Sequence, residues 1–264
     1  MSLSFEPDPS LLEAGHLFGL IGYPLSHSFS QKYFTEKFQR EGRKGFAYAL
    51  FPIPAIEQFP ELLEAYPNMR GLNVTIPYKE QVMPYLDELD EGAADIGAVN
   101  VIRLEKGKTK GYNSDVFGFE RSLLEFLGGR RPGIRQALVL GTGGASKAVL
   151  FVLRKLNIRT LVVSRDPGKG DLVYEELNAA LLRECPLIVN TTPLGMSPEI
   201  RIFPNLPYAH LTSDHLLFDL IYNPEETAFL KKGKAAGAQT VNGMGMLYGQ
   251  AEKAWEIWSA LGLF

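Results

Sequence analysis

Along the first half of the chain, apolar positions switch between a period of two or less and a helical period. HLFGLIGYP (16–24) is a continuous apolar run closed by proline, the pattern of a buried strand. FSQKYFTEKFQREG (29–42) sets Phe29, Tyr33, Phe34 and Phe38 on a helical stripe, with Gly42 as its stop. FAYALFPI (46–53) predicts a strand and IEQFPELLEAY (56–66) a helix. In GLNVTIPYKE (71–80), Leu72, Val74 and Ile76 alternate with Asn73 and Thr75, which predicts a strand with a polar face, by default a solvated one. Pro77 ends that ladder. KEQVMPYLDEL (79–89) reads as a helix, and AVNVIRLEKGKTKGYNSD (98–115) as a hairpin with a Gly/Lys turn. Strand, helix, strand in repetition predicts a mainly parallel α/β sheet.

DVFGFERSLLEFL (115–127) predicts a long helix, followed by the loop GGRRPGIR. The alternation then restarts in QALVLGTGGASKAVLFVLRKLNIRTLVVSR (136–165): strand, glycine-rich turn, helix, strand. A domain boundary is therefore expected near Asp115. PLIVNTTPLGM and LLFDLIYNP supply later strands of the second sheet, and GMLYGQAEKAWEIWSALGLF an amphipathic C-terminal helix.

Composition narrows the function. The 264 residues carry a net charge of −3, with 22% charged residues, and offer no basic excess for a nucleic-acid backbone. No apolar run reaches the roughly 18 residues of a membrane span. MSLSFEPDPS lacks the basic and apolar regions of a signal peptide. With a single cysteine, Cys185, inside an apolar strand, this predicts a reducing, cytoplasmic setting. The four histidines, His16, His27, His210 and His215, have no metal-ligand spacing, so no metal is expected. Oligomeric state has no sequence signal.

The turn VLGTGGAS places Gly141, Gly143 and Gly144, followed by Ala145, between a strand and a helix. Glycine lets a backbone approach a pyrophosphate, and the helix N-terminus favours an anion. Ser146 holds the third glycine position of the dinucleotide fingerprint. The next strand ends in VVSRDPGKG. NAD-binding folds usually carry an acid here for the ribose hydroxyls, whereas Ser164 and Arg165 stand here, with Lys169 after them. Arginine matches a 2′-phosphate, which favours NADP(H). Asp166 beside it would repel a phosphate and keeps NAD(H) as the alternative.

The first half collects polar groups at strand ends: Ser26, His27, Ser28 and Ser30; Asn73, Thr75 and Lys79; Asn100; Asn113 and Asp115. Small hydroxyls and amides with one lysine and one aspartate suit a polyhydroxylated acid. At this point the chain resembles the shikimate dehydrogenase family, through seven motifs in order. GYPLSHSFS is similar to its Ser-x-Ser motif and GLNVTIPYKE to its N-V-T-x-P-x-K signature. IGAVNVI, GYNSDVFGF, GTGGASKAV, FDLIYNPEETAFL and NGMGMLYGQA resemble the remaining five.

The resemblance implies an N-terminal α/β substrate domain (1–114, completed by a C-terminal helix 244–264) and a Rossmann-like NADP-binding domain (115–243), with the active site in the cleft between them. It implies reversible NADPH-dependent reduction of 3-dehydroshikimate to shikimate. Lys79 and Asp115 would be the acid–base pair. Ser28 and Ser30 would bind the substrate carboxylate, and Asn73, Thr75, Asn100, Tyr222 and Gln250 its hydroxyls. The backbone at Leu220 and Gly243 would touch the nicotinamide. Two departures stand out: the family's proline after the second serine is Gln31, and its N-R-T-x-x-[RK] loop reads Ser164-Arg165-Asp166-Pro167-Gly168-Lys169. The alternatives are an NAD-dependent quinate/shikimate dehydrogenase and a non-enzymatic nucleotide sensor.

Overall fold

The computed structural model describes residues 7–25, 28–128 and 133–260. Ser26, His27 and the last four residues of the expected C-terminal helix lie outside them. Two compact units emerge: Met1–Ser114 with Ala251–Phe264, and Asp115–Gln250.

The first unit runs α1 (Pro9–Leu12), β1 (His16–Ile21), α2 (Phe29–Arg40), β2 (Phe46–Phe51), α3 (Phe59–Ala65), β3 (Met69–Val74), α4 (Tyr78–Gln81), β4 (Glu88–Leu89), α5 (Glu91–Ile96), β5 (Val101–Glu105) and β6 (Lys108–Tyr112). Its six-stranded sheet has the order β2-β1-β3-β5-β6-β4. The sheet is mixed: β1 pairs in parallel with β2 and β3, while β5 is antiparallel to both β3 and β6. The antiparallel β5–β6 pair follows from the tight turn between them, where Lys106 and Gly107 both take positive φ. The helix expected over 79–89 is instead the single turn α4, a 3-10 turn at Met83–Tyr85 and the strand β4. Pro84 lacks the N–H that a continuing helix needs.

Both faces of this sheet are covered. Leu17, Ile21, Leu72, Val74 and Ile102 belong to one core. Phe18, Leu20 and Val101 face the other, with Phe34 and Phe38 of α2 and Trp255 and Trp258 near the C-terminus. A sheet covered on both faces leaves no solvated side. The expectation of a solvated face in 71–76 is therefore corrected: Asn73 is buried, whereas Ile76, past the strand end, is exposed. Trp258 lies flat against Gly71, where an added Cβ would stand 2.3 Å from its Nε1, and that Nε1 donates to the Ile102 carbonyl at 3.0 Å. Lys37, buried on α2, pairs with Glu41 at 2.9 Å and with Glu252 at 3.0 Å, and Tyr33 donates to the same Glu252. These contacts place residues 251–260 in the first unit.

The second unit holds α6 (Asp115–Leu127), β7 (Gln136–Leu140), α7 (Gly144–Lys155), β8 (Arg159–Ser164), β9 (Leu172–Val173), α8 (Ala179–Glu184), β10 (Leu187–Asn190), β11 (Leu216–Asp219), α9 (Ala228–Ala235), β12 (Gln239–Val241) and the start of α10 (Met244–Ser259). The unit division falls inside α10. The sheet order is β12-β11-β10-β7-β8-β9, with every pairing parallel. This is the doubly wound Rossmann arrangement, and its order reverses between β7 and β10. Within β7, Ala137 and Val139 enter one core and Leu138 and Leu140 the other. Cys185, expected inside a strand, instead caps α8 ahead of β10; it is a core residue, and burial pushes its thiol pKa up.

Candidate active site

In the first unit, the residues singled out by sequence lie at the carboxyl ends of β1 and β3 and at the start of β5. Ser28 is the N-cap of α2, its hydroxyl oxygen accepting from Gln31 N–H at 3.4 Å. Ser30 sits in the first turn of this twelve-residue helix, whose N-terminus favours an anion. Thr75 follows β3. Its N–H donates to Ile21, and its carbonyl accepts from Tyr78 N–H at 2.9 Å. Its methyl group lies where a Cβ on Gly22 would intrude, at 2.5 Å, so only glycine admits this approach. Lys79 is half-buried on α4, and its carbonyl accepts from Val99 N–H at 2.7 Å, which ties the short helix to the approach to β5.

A line of buried hydrogen bonds joins two of these residues to one that sequence reading missed. The Tyr48 phenol, with the Ser30 side chain beside it, donates to Asn73 Oδ1 at 2.7 Å. Asn73 Nδ2 reaches the Asn100 carbonyl at 3.4 Å. Asn100 Oδ1 accepts from Ser114 N–H at 2.7 Å, and its Nδ2 meets Ser114 Oγ at 3.1 Å. Burial pushes the Tyr48 phenol pKa up, so the phenol stays a neutral donor. Each amide nitrogen has two hydrogens, and these bonds use one on Asn73 and one on Asn100. A neutral N–H therefore remains on each for a hydroxyl or carbonyl. The signal for Tyr48 was weak: it is one polar-tipped ring within an apolar strand. Asn113 serves the backbone instead, donating to the Ala98 carbonyl at 2.9 Å.

Asp115 opens the second unit as the first residue of α6 and is buried. Gln250 is half-buried on α10, where that helix meets α6 at glycines. A Cβ on Gly118 would stand 2.8 Å from Gln250 N, and one on Gly249 would stand 3.0 Å from Gly118 Cα. Tyr222 is half-buried in the turn after β11, and desolvation raises its pKa. In the same turn, Leu220 N–H donates to Asn190 and Gly243 N–H to Ile221, both at 3.0 Å. Leu220 and Gly243 are in direct contact, since a Cβ on Gly243 would fall 2.0 Å from the Leu220 oxygen.

That turn is held by a buried cluster absent from the sequence reading. Asp219, at the end of β11, accepts from Asn190 Nδ2 at 3.0 Å, Ile221 N–H at 3.1 Å and Thr227 Oγ1 at 2.6 Å. All three side chains are fully buried. Desolvation pushes the Asp219 pKa up to about 6, against the three donors that lower it. The available signal was a polar residue closing an apolar strand, in IVN and in LFD, as in LNV of β3.

The glycine turn fits a dinucleotide. Gly141 has φ +106°, and its N–H donates to Val163 at 2.9 Å. Gly143 is the N-cap of α7 with no side-chain cap, and a Cβ there would meet nothing within 4 Å. Gly144 and Ala145 begin the helix, so its first N–H groups face an open cradle. Ser146 is buried and back-bonds the Gly143 carbonyl at 2.6 Å, so a small side chain suffices at the third fingerprint position. At the end of β8, Ser164 is buried and its Oγ accepts from Asp166 N–H at 3.0 Å. Arg165 is exposed, and Lys169 pairs with Asp166 at 2.8 Å. An open helix N-terminus at the switch point, with cations at the end of β8, is what a phosphorylated dinucleotide requires.

Comparison with known proteins agrees with this geometry. Residues 20–102 match the shikimate dehydrogenase substrate binding domain. A shikimate dehydrogenase (NADP+) of Methanococcus maripaludis is 38% identical over 265 residues, covering 93% of this chain and 92% of that protein. A crystal structure of a shikimate dehydrogenase in complex with NADP+ superposes with a TM-score of 0.83 at 32% identity, covering 99% of this chain and 94% of the other. A quinate dehydrogenase from Corynebacterium glutamicum in complex with NAD superposes with a TM-score of 0.81 at 28% identity, covering 94% of each chain. With its two α/β units and more than a third of its residues shared with a relative over nearly its full length, the chain belongs to the shikimate dehydrogenase family.

Proposed function

We propose that this protein catalyses the reversible NADPH-dependent reduction of 3-dehydroshikimate to shikimate. The observation that carries the reading is the buried line Tyr48–Asn73–Asn100, with Ser30 beside it, which offers neutral hydroxyl and amide groups at the carboxyl ends of one sheet. A polyhydroxylated ring acid needs several fixed neutral donors and one anion site, and the α2 N-terminus with Ser28 and Ser30 supplies the latter.

Bound NADPH would supply the hydride. Lys79 carries the proton to the carbonyl oxygen during reduction and takes it back during oxidation, with Asp115 as the other member of the acid–base pair. Thr75, Tyr222 and Gln250 complete the contacts to the ring hydroxyls. Gly141, Gly143, Gly144 and Ala145 would receive the pyrophosphate, and Ser164, Arg165 and Lys169 would line the adenosine end. The backbone at Leu220 and Gly243 would border the nicotinamide.

Quinate differs at C1, where a tetrahedral, hydroxylated carbon replaces the flat one of shikimate and redirects the carboxylate. Ser28 is committed to its cap, so it has little freedom to follow that change. The added hydroxyl would lose water without a partner, so shikimate should be preferred by about tenfold or more in kcat/KM. Absorbance at the reduced-nicotinamide band tests this, with shikimate or quinate and with NADP+ or NAD+. Comparable kcat/KM for the two acids with NAD+ would overturn the assignment in favour of a quinate/shikimate dehydrogenase. Cofactor binding without turnover would leave a nucleotide sensor.

A further inference from the structure

The loop after β8 holds a carboxylate where a dehydrogenase that takes a 2′-phosphate should not. Asp166 adjoins Arg165, and an acid at this strand end ordinarily accepts ribose hydroxyls and repels a phosphate. The geometry accounts for its presence. Asp166-Pro167-Gly168-Lys169 is a turn with proline at its second position and a glycine of φ +86° at its third. Lys169 N–H donates to the Asp166 carbonyl at 3.2 Å, closing the turn. Across it, Lys169 Nζ lies 2.8 Å from Asp166 Oδ2.

Asp166 is held from the other side as well. Its N–H donates to Ser164 Oγ, and Ser164 is buried beneath Gly170, where a Cβ would stand 3.1 Å from Ser164 Cβ and 2.7 Å from the Val162 oxygen. The backbone thus fixes where the carboxylate stands, and one lysine answers it. Arg165 donates no hydrogen bond to another described residue and is exposed. With Asp166 matched by Lys169, the loop presents Arg165 as its excess charge.

We propose that Lys169 determines cofactor choice through Asp166: it pairs the carboxylate across the turn and so admits a 2′-phosphate that an unpaired Asp166 would exclude. Lys169 and Arg165 also hold the Asp166 pKa below the usual carboxylate range, so the acid stays ionised and loss of its partner exposes a full negative charge. As a source of stability such an exposed pair contributes little. Its effect lies in the field that a 2′-phosphate bound at this loop would meet.

The inference rests on the placement of the cofactor's adenosine end at this loop, and binding of fragments tests the two separately. Adenosine 2′,5′-bisphosphate and 5′-AMP are titrated by calorimetry into the wild type, Lys169→Met, Asp166→Asn, the double variant and Arg165→Ala. Lys169→Met should weaken the bisphosphate by about tenfold and leave 5′-AMP within about twofold. Asp166→Asn added to Lys169→Met should restore most of that loss. With the full enzyme, Lys169→Met should move the NADP+/NAD+ affinity ratio toward NAD+. Equal losses in Lys169→Met and the double variant would mean that Lys169 touches the phosphate directly, and no loss in Lys169→Met would leave it without a role. Either result overturns the proposal. Unchanged bisphosphate binding in Arg165→Ala would instead overturn the placement of the adenosine end.

Discussion

Both sheets close apolar strands with a buried asparagine, Asn73 on β3 and Asn190 on β10, yet the two networks differ in what they leave over. In the first unit every member is neutral, and Asn73 and Asn100 each keep an amide hydrogen beyond their bonds to the protein. In the second, a carboxylate stands at the centre and collects three donors from its own neighbourhood. A buried network with donors to spare is built to receive a polar ligand, because unmet hydrogen-bonding capacity is costly until something fills it. A network that closes on a charge holds backbone in place. In the proposed function the first sheet would recognise the acid through buried side chains, while the cofactor would meet glycine backbone and the cations after β8, and the Asp219 cluster would support the turn after β11.

The sharpest break in this comparison is at Lys79, the one cationic side chain proposed beside the neutral network. Lys79→Ala should lower kcat by about 10²–10⁴-fold while leaving thermal unfolding and NADP+ binding nearly unchanged. Its backbone carbonyl, which holds Val99, is kept in the variant. Steady-state kinetics with a parallel melting curve measures both effects. Wild-type turnover would remove Lys79 from the mechanism.

The charged network should show itself through pH. The Asp219 pKa is raised from 3.8 to about 6 in the folded protein. The native state therefore binds the proton more tightly than the unfolded chain, so this carboxylate lowers stability as pH rises from about 4 to about 6. The whole interval corresponds to roughly 2–3 kcal/mol. The Tyr208 phenol, which interacts with this charge, has a raised pKa and stays neutral throughout. Asp219→Asn abolishes the titration. Whatever the variant loses in hydrogen bonds, its Tm should improve relative to wild type by several degrees between pH 4 and pH 7. A Tm difference that does not vary with pH would show that Asp219 keeps its ordinary pKa.

How legible these networks were in the sequence follows from their geometry. The strands of the second sheet were readable because a sheet buried on both faces is written as unbroken apolar runs, QALVL and LIVN. Asn73 and Asn100 were visible because each interrupts such a run next to a turn. Tyr48 was not, because its ring packs as core and only its oxygen belongs to the line. Asp219 and Thr227 lie eight positions apart, and only the β11-to-α9 connection brings them together. Pro84 lay in plain view, yet helical spacing in 79–89 concealed that α4 ends before it. The pairing of Asp166 with Lys169 was written as D-P-G-K, a turn whose first and last side chains are neighbours.

Tyr48→Phe tests the claim that the neutral line is one unit. The substitution keeps the ring, which stacks on Phe34 at a centroid distance of 4.9 Å, and removes only the oxygen. Asn73 Oδ1 then loses its buried donor. An unsatisfied buried acceptor costs about 1–3 kcal/mol. The loss should appear as lower Tm and as a higher KM for shikimate, with NADP+ affinity unchanged. An equal loss for both ligands would mean that the line does not separate the two functions.

The smallest effect is expected at Gly143, and it isolates the contribution of bare backbone. Two glycines make the contrast. At Gly71 a Cβ would strike Trp258 at 2.3 Å, so Gly71→Ala should unfold or displace the packing of the first unit. At Gly143 a Cβ would meet no protein atom within 4 Å, and the backbone, φ −80° and ψ 179°, is one that alanine adopts freely. Gly143→Ala should therefore keep Tm or raise it slightly, since alanine restricts the unfolded chain. What the methyl group would occupy is the cradle in front of the α7 N-terminus. Displacing a phosphate from one neutral backbone N–H costs about 1 kcal/mol, so NADP+ and NAD+ should weaken together, by about 5- to 10-fold. The two cofactors share the pyrophosphate and differ only at the 2′ position, so a parallel loss assigns Gly143 to the shared part. Selective loss of NADP+ would place the 2′-phosphate at this turn and would displace Arg165 from its proposed role. Unchanged binding of both would show that the open space at Gly143 is not where the phosphates lie.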